Sequence, residues 1–431
     1  MVNYSLGINI AGHVKGDFGL GVGVRGNIRA IETAGIPYVI NNLWLNFKPP
    51  ETDTTYTKFS EDNPYPINLV QTNPNMMEQS INKDGSQVLT EKYFEGRYNI
   101  ALWLFELPQI PPEWEFAFDW FDEIWVMSSF CAEIFAPTSP IPVFKVMPSL
   151  NLPKPLLSRQ AIGWPKDKFI FLFMFDFTSC YERKNPLATI KAFKQAFGQS
   201  NEDVLLVIKY RSPQYYPHLR DVMVAEAADC PSIRFIDGNL KRDETNALVY
   251  NCDCYVSLHR AEGFGLTMAE AMFYGKPVIA TAYSSNVDFM NVNNSFLVKY
   301  KLVTTTEAHL PYPAGSIWAD PDIDHAACLM RYVFDNNEAA KEVGARASRE
   351  IKYLLSPETV GCKIRSRLEY IMKKMNHTPR SNRFHDLVVE KEGLKSKCQA
   401  WRQTAQETIA ELERSRSQLQ QAQSELERRQ C

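Results

Sequence analysis

The sequence has no apolar run long enough to cross a bilayer. Its most apolar stretch, Phe169 to Phe175, falls far short of the roughly 18–20 residues that a spanning helix needs. The N-terminus lacks a basic segment followed by an apolar one, so no signal peptide is read there. These absences predict a cytoplasmic protein with no transmembrane segment and, at most, peripheral contact with the inner face of a membrane. Basic charge is not in excess: 47 Lys and Arg stand against 50 Asp and Glu, a formal net charge of -3. Proteins that neutralise nucleic-acid phosphates are usually basic, so no nucleic acid is expected as partner. The nine cysteines are scattered without a framework, and neither a His-rich nor a Cys-rich cluster is seen. Cys252 and Cys254 are a close pair, but no His or Cys at zinc-ligand spacing accompanies them. Reduced thiols are the economical reading.

What is present is ordinary globular composition, 45% hydrophobic and 23% charged over 431 residues. At about 150 residues per domain this is enough for two or three domains. Tyr4 to Ile10 is a short apolar strand that runs into a glycine-rich stretch from Gly12 to Gly26. Helical spacing follows from Val24 to Ala34 and stops at Gly35, and Ile36 to Ile40 is the next strand. This strand, glycine loop, helix and strand predict a doubly wound α/β sheet. Residues 48–90, rich in Pro, Asn, Thr and Asp, read as a long excursion with little regular structure. Six prolines between Pro137 and Pro155 read as an interdomain connection. The pattern then restarts, with strands at Lys168–Phe175, Val204–Lys209, Ile233–Ile236, Asp253–Ser257 and Pro277–Ala280.

The expected organisation is thus residues 1–155 and 156–340 as two α/β domains facing a cleft, then helices over 341–378 and a helical tail over 385–431. In the tail, Leu394, Cys398, Trp401, Ala405, Thr408, Leu412, Ser415, Leu419, Ala422 and Leu426 alternate at spacings of four and three, a heptad seam. It predicts a coiled coil, with a homodimer or a partner protein held through 394–430. The pattern runs up to Cys431, as expected for a piece of a longer chain.

The segment richest in chemistry is Ser257 to Glu270, between a strand and a helix. Gly263 and Gly265 let the backbone approach a ligand. The helix beyond them offers free N–H groups and a positive dipole end, a seat for phosphate. Glu262 and Glu270 flank that seat, where carboxylates suit sugar and ribose hydroxyls rather than phosphate. Asp320-Pro-Asp322 has the look of a metal-binding pair, but it precedes a helix, where aspartates act as caps.

The string Glu262-x7-Glu270 within His-Arg-x-Glu-Gly-Phe-Gly-Leu, followed by Ala-Met-x-x-Gly-Lys-Pro-Val-Ile-Ala, resembles the donor-site signature of family 4 glycosyltransferases. Gly19-Leu-Gly-Val-Gly23 with Arg25, Trp103 to Pro108, Phe121 to Val126 and Phe175 to Pro186 are similar to further segments of a subgroup found in bacterial surface-polysaccharide synthesis. The resemblance spans about residues 1–375. It implies a GT-B architecture: two Rossmann-like domains, the first for the acceptor and the second for a nucleotide-sugar donor, with a final helix crossing back to the first. It implies a retaining, metal-independent hexosyltransferase with no cofactor, acting on a glycan or glycolipid acceptor.

By the same resemblance, Glu262 would contact the transferred sugar and Glu270 the ribose, and the backbone of Gly263, Phe264, Gly265, Leu266 and Thr267 would hold the diphosphate. Lys184, with Arg183, would neutralise the leaving group. Many family members carry an additional Arg where this chain has Thr178, and Lys209 could supply that second charge. His259 is expected to line the cleft, and Asp237 and Gly238 to lie where the nucleobase is held. Gly21, Gly23, Arg25 and Glu106 are expected on the acceptor side, with His13, Lys15 and Asp17 flanking. Two alternatives stay open: another GT-B enzyme such as an epimerase or phosphorylase, and a nucleotide-binding assembly protein acting through its tail.

Overall fold

The computed structural model describes residues 5–45, 53–81, 85–309 and 311–377. The chain divides into two units, residues 1–377 and 378–431. The heptad seam of 394–430 lies outside the described residues.

The first unit holds two six-stranded sheets, each wholly parallel. One runs in the order Tyr38–Asn42, Ile8–Gly12, Ile67–Gln71, Tyr98–Leu102, Glu123–Val126 and Val143–Lys145. The other runs Ile233–Asp237, Val204–Arg211, Phe169–Asp176, Cys254–Ser257, Val278–Thr281 and Phe296–Val298. Parallel sheets are covered on both faces, so their strands read as continuous apolar runs. Phe169 to Phe175 is such a run, and every one of its residues is buried.

The strand Ile67–Gln71 corrects the reading of residues 48–90 as an irregular excursion. It sits in the middle of the first sheet and all five residues are buried. Its second residue is Asn68, a type that strands usually avoid. Here it is one rung of an asparagine ladder across three adjacent strands: Asn9 Nδ2 donates to Asn68 Oδ1 at 2.9 Å, and Asn68 Nδ2 to Asn99 Oδ1 at 2.8 Å. The proline-rich segment likewise contributes the edge strand Val143–Lys145 before it leaves the sheet.

Two helices close the unit. Asn337–Leu354 packs on Leu266–Phe273, beside the second sheet, while Pro357–His377 packs along Gly19–Thr33, beside the first. The latter contact is close because Gly361 has no side chain: a Cβ there would lie 2.4 Å from the Ala30 carbonyl oxygen. Arg367 from the same helix reaches the buried Glu123, its Nε 3.2 Å from Oε1, and Tyr98 and Trp125 donate to that carboxylate at 2.9 and 2.7 Å. Among the described residues no helix is long and apolar enough to cross a membrane.

Candidate active site

In a doubly wound sheet, ligands gather at the carboxyl ends of the strands where the strand order reverses. In the second sheet that point lies between Phe169–Asp176 and Cys254–Ser257. The loops leaving these two strands carry Lys184 and Glu262.

After Ser257 the chain crosses Gly263 and enters the helix Leu266–Phe273 through Gly265, whose φ of +93° suits glycine and strains other residues. Among the described residues no oxygen accepts from the N–H of Leu266 or Thr267. Those donors and the positive end of the helix dipole make an anion seat. Glu270 lies further along the helix, nearly buried, and its Oε1 is paired with Arg242. Sequence reasoning missed Arg242, which sits four positions beyond Gly238 at the start of another helix.

Lys184 Nζ donates directly to Glu262 Oε1. Burial alone would raise the Glu262 carboxyl, but Lys184 and Arg183 together outweigh it and hold the group down at about 2. Burial also draws the Lys184 ammonium below its ordinary value, against the pull of Glu262. The Glu262 N–H donates to Ser284 Oγ at 2.9 Å. The expected sugar ligand and leaving-group cation are therefore adjacent and satisfy each other in the absence of ligand.

Arg183 was expected beside Lys184 as a catalytic cation, and its placement corrects that. Its side chain is buried and donates to Ala261 O at 2.8 Å and Ser179 O at 2.9 Å. It stands 3.6 Å from Glu262 and 3.7 Å from Glu106. Burial would lower its pKa, yet Tyr312, Glu106 and Glu262 raise it. Arg183 thus positions the Glu262 loop. Glu106, leaving the first sheet, does reach this site: a Cβ on Gly263 would lie 3.6 Å from Glu106 Oε1. Tyr312, which sequence reasoning missed, donates to Glu106 Oε2 at 2.9 Å. It arrives on a two-stranded hairpin, Tyr300–Thr304 with Ile317–Pro321, inserted after the last sheet strand.

Lys209 is also nearly buried at the carboxyl end of its strand and has no ion-pair partner among the described residues. Burial, then the charge of Arg211, brings its ammonium down to about 8. Arg211, two residues on and so on the same face, was missed. It pairs with Asp176 Oδ2 and donates to Asp17 O of the first half, both at 2.5 Å. Asp237 ends the neighbouring strand, and Gly238 follows with φ +121°.

The first-half residues are placed differently from expectation. Gly21 and Gly23 lie in a helix that begins at Gly19, not in a loop. A Cβ at Gly21 would fall 2.1 Å from Gly16 O, and one at Gly23 2.8 Å from Met127 Cε, so these glycines serve packing. Gly19 faces Leu266 instead, 3.9 Å from its Cδ1. Arg25 is buried, donates to Val14 O at 2.7 Å and Gly16 O at 2.8 Å, and pairs with Asp53 at 3.2 Å. It holds the loop in front of the helix rather than facing an acceptor. His259 is a further correction. It is 0% exposed, and its ring nitrogens meet Ser257 Oγ at 3.0 Å and Asn286 Oδ1 at 3.1 Å, so it lines no cleft. Asp322 caps a helix by accepting from the His325 N–H at 2.9 Å, and Asp320 pairs with Arg260. No group of three or more His, Cys, Asp or Glu able to hold a metal is found among the described residues.

The two halves touch around this site. Ser128 and Ser285 hydroxyls lie 2.7 Å apart, Ser129 N–H donates to Asp288 at 2.7 Å, and Cys131 Sγ donates to Gly263 O at 3.4 Å.

Comparison with known proteins agrees with this geometry. Residues 157–349 match the family model described as glycosyl transferases group 1. No curated protein matches the sequence significantly. Among solved structures, HepE of Anabaena in complex with UDP and glucose aligns at 13% identity and a TM-score of 0.56, over 85% of this chain and 100% of its own. Sucrose-phosphate synthase of Thermosynechococcus elongatus aligns at 14% identity and a TM-score of 0.62, over 86% and 100%. A glycosyltransferase of Rickettsia africae gives 14% and 0.57, over 86% and 100%. Two wholly parallel six-stranded sheets and these structural matches establish that the chain has the GT-B fold.

Proposed function

We propose that the protein is a retaining glycosyltransferase that moves a hexose from a nucleotide diphosphate sugar to a hydroxyl of a glycan or glycolipid. The observation that carries this is the cluster at the carboxyl edge of the second sheet: Lys184 beside Glu262, and Lys209 and the N–H groups of Leu266 and Thr267, which have no ion-pair partner or acceptor among the described residues. A departing nucleoside diphosphate develops negative charge, and fixed cations and helix donors in a dry cleft stabilise it. The protein itself thus supplies the countercharge that a bound metal would otherwise provide. Glu262, held ionised, accepts from hydroxyls of the transferred sugar once Lys184 turns to the diphosphate. Glu270 takes the ribose. Among the described residues no base–nucleophile pair stands beside Glu262, which suits front-face attack with the leaving phosphate accepting the proton. Solved structures of HepE contain UDP or UDP-glucose, which makes a UDP-hexose the first donor to try here. A role in surface-polysaccharide synthesis, with residues 1–155 facing the acceptor and 156–340 the donor, completes the reading.

The test is release of nucleotide from UDP-, GDP-, ADP- and dTDP-hexoses by the full chain, followed by chromatography. One nucleotide class should be turned over, and Lys184→Ala should cut kcat by about 100-fold or more, the cost of removing one fixed transition-state stabiliser. Turnover unaffected by Lys184→Ala would refute the assignment.

A further inference from the structure

The inserted hairpin does more than carry Tyr312. Between it and the turn that follows Tyr181 lies a cavity of about 290 Å³. Glu182, Arg260, Thr304, Thr306, His309 and Trp318 line it. Proposals so far leave this cavity without a role, although it lies directly behind the Lys184–Glu262 pair: Glu182 precedes Arg183 and Lys184, and the Arg260 N–H donates to Arg183 O at 2.8 Å.

We propose that this cavity is a subsite for one uncharged saccharide ring. Its size lies just under the roughly 300–1,000 Å³ of small-molecule sites, which suits a single ring and excludes a nucleotide sugar. Its charges cancel in place. Arg260 is paired with Asp320, and His309 Nδ1 stands 3.7 Å from Glu182 Oε2. Among the lining residues a phosphate or carboxylate would find no uncommitted Lys or Arg, and the Glu182 carboxylate against it. Hydroxyl groups, which donate and accept at once, match the lining. The Thr304 and Thr306 hydroxyls have no partner among the described residues, and neither does the hydroxyl of Tyr181, which also borders the cavity and is 5% exposed. Trp318, 4% exposed, backs the lining: the His309 ring stacks on it at 5.3 Å and the Arg260 guanidinium lies over it at 5.5 Å.

The cavity is also tied to the reaction site. His309 and Tyr312 exchange backbone hydrogen bonds of 2.8 Å, and Tyr312 holds Glu106 at 2.9 Å. A ring seated against His309 therefore steadies the turn that presents Tyr312. The inference deepens the transferase reading and rests on it for the origin of the ring, which is either a unit of the acceptor chain or a free saccharide.

The experiment is saturation-transfer NMR on the full chain with methyl glycosides of glucose, galactose, mannose and N-acetylglucosamine and with maltotriose, without nucleotide. Ring protons of at least one probe should receive saturation. The signal should fall about tenfold in Thr306→Arg, which fills the cavity from an exposed position, and in His309→Ala, as expected for losing one or two polar contacts. A UDP-induced rise in Tm in both variants shows that they are folded. No saturation of any probe, or saturation that survives both substitutions, overturns the subsite. Saturation abolished by UDP in the wild-type chain also overturns it, because the probe then sat in the donor cleft. An acceptor unit binds more strongly when UDP is present, whereas a free saccharide is indifferent to it. A wild-type chain that ignores UDP, GDP, ADP and dTDP alike counts against the transferase reading, while the glycoside result still decides the subsite.

Discussion

Lys184 ends the helical turn Tyr181–Lys184 and Lys209 lies near the end of a buried strand, and the protein treats the two in opposite ways. Lys184 is neutralised by Glu262; Lys209 is left without an ion-pair partner among the described residues and is brought down to about 8 by burial. A bound diphosphate would restore the ammonium, so nucleotide binding near pH 8 should take up about half a proton. Calorimetry in buffers of different ionisation enthalpy reads this directly. Lys209→Met should remove the uptake, and uptake that persists in the variant would exclude Lys209 from the diphosphate site. His13 makes a second prediction. Burial, against a hydrogen bond to Leu43 O, lowers its pKa from 6.5 to about 4. The imidazole is neutral in the folded state, so its contribution is complete above pH 6.5 and is lost as the pH falls towards 4. At about 1.4 kcal/mol for each pH unit, up to about 3 kcal/mol is at stake. Urea midpoints should drop over that interval in the wild-type chain and stay flatter in His13→Gln; parallel curves would contradict the assignment.

At the scale of elements, the helix Pro357–His377 is held by two devices. Arg367→Ala would leave Glu123, fully buried, without its cation, and should cost about 3–5 kcal/mol in urea unfolding. Replacing both partners, Glu123→Gln with Arg367→Met, should recover much of that loss. A single variant within about 1 kcal/mol of wild type would show that the pair contributes little, as exposed pairs do. Gly361→Leu should also destabilise, since a Cβ there already meets the Ala30 carbonyl at 2.4 Å. Elements were legible where their chemistry was uniform. Phe169–Phe175 and Val204–Ile208 are unbroken apolar runs, and their strands are legible in the sequence almost to the residue. Ile67–Gln71 was hidden because its Asn68 is satisfied by Asn9, Tyr93 and Asn99, residues far away in sequence. The helix from Gly19 was hidden because its glycines read as a loop, while their actual use is close packing against Gly16 and Met127.

At the scale of the whole molecule, local sequence carries one strand–loop–helix unit of the candidate site better than the segments that cross to it. Glu262, Glu270 and the Gly265 turn stand on one strand–loop–helix unit, so their spacing was visible in the chain. Tyr312, Arg211 and the dual placement of Glu106 depend on contacts between distant segments, which no local pattern carries. Sequence neighbours mislead for the same reason: Arg183 adjoins Lys184 and His259 adjoins Glu262 in the chain, yet both side chains turn inward. Lys184 and Glu262 are bonded to each other, and on the proposed reading a donor parts them. The most direct measurement is a thermal-shift titration of the full chain with UDP, GDP, ADP and dTDP and their hexose derivatives, beside Lys184→Ala and Glu262→Ala. One nucleotide class should raise Tm in the wild-type chain, because a ligand of the folded state must stabilise it, and the rise should shrink in both variants. No rise with any nucleotide, or an equal rise in Lys184→Ala, would contradict a donor site at this pair.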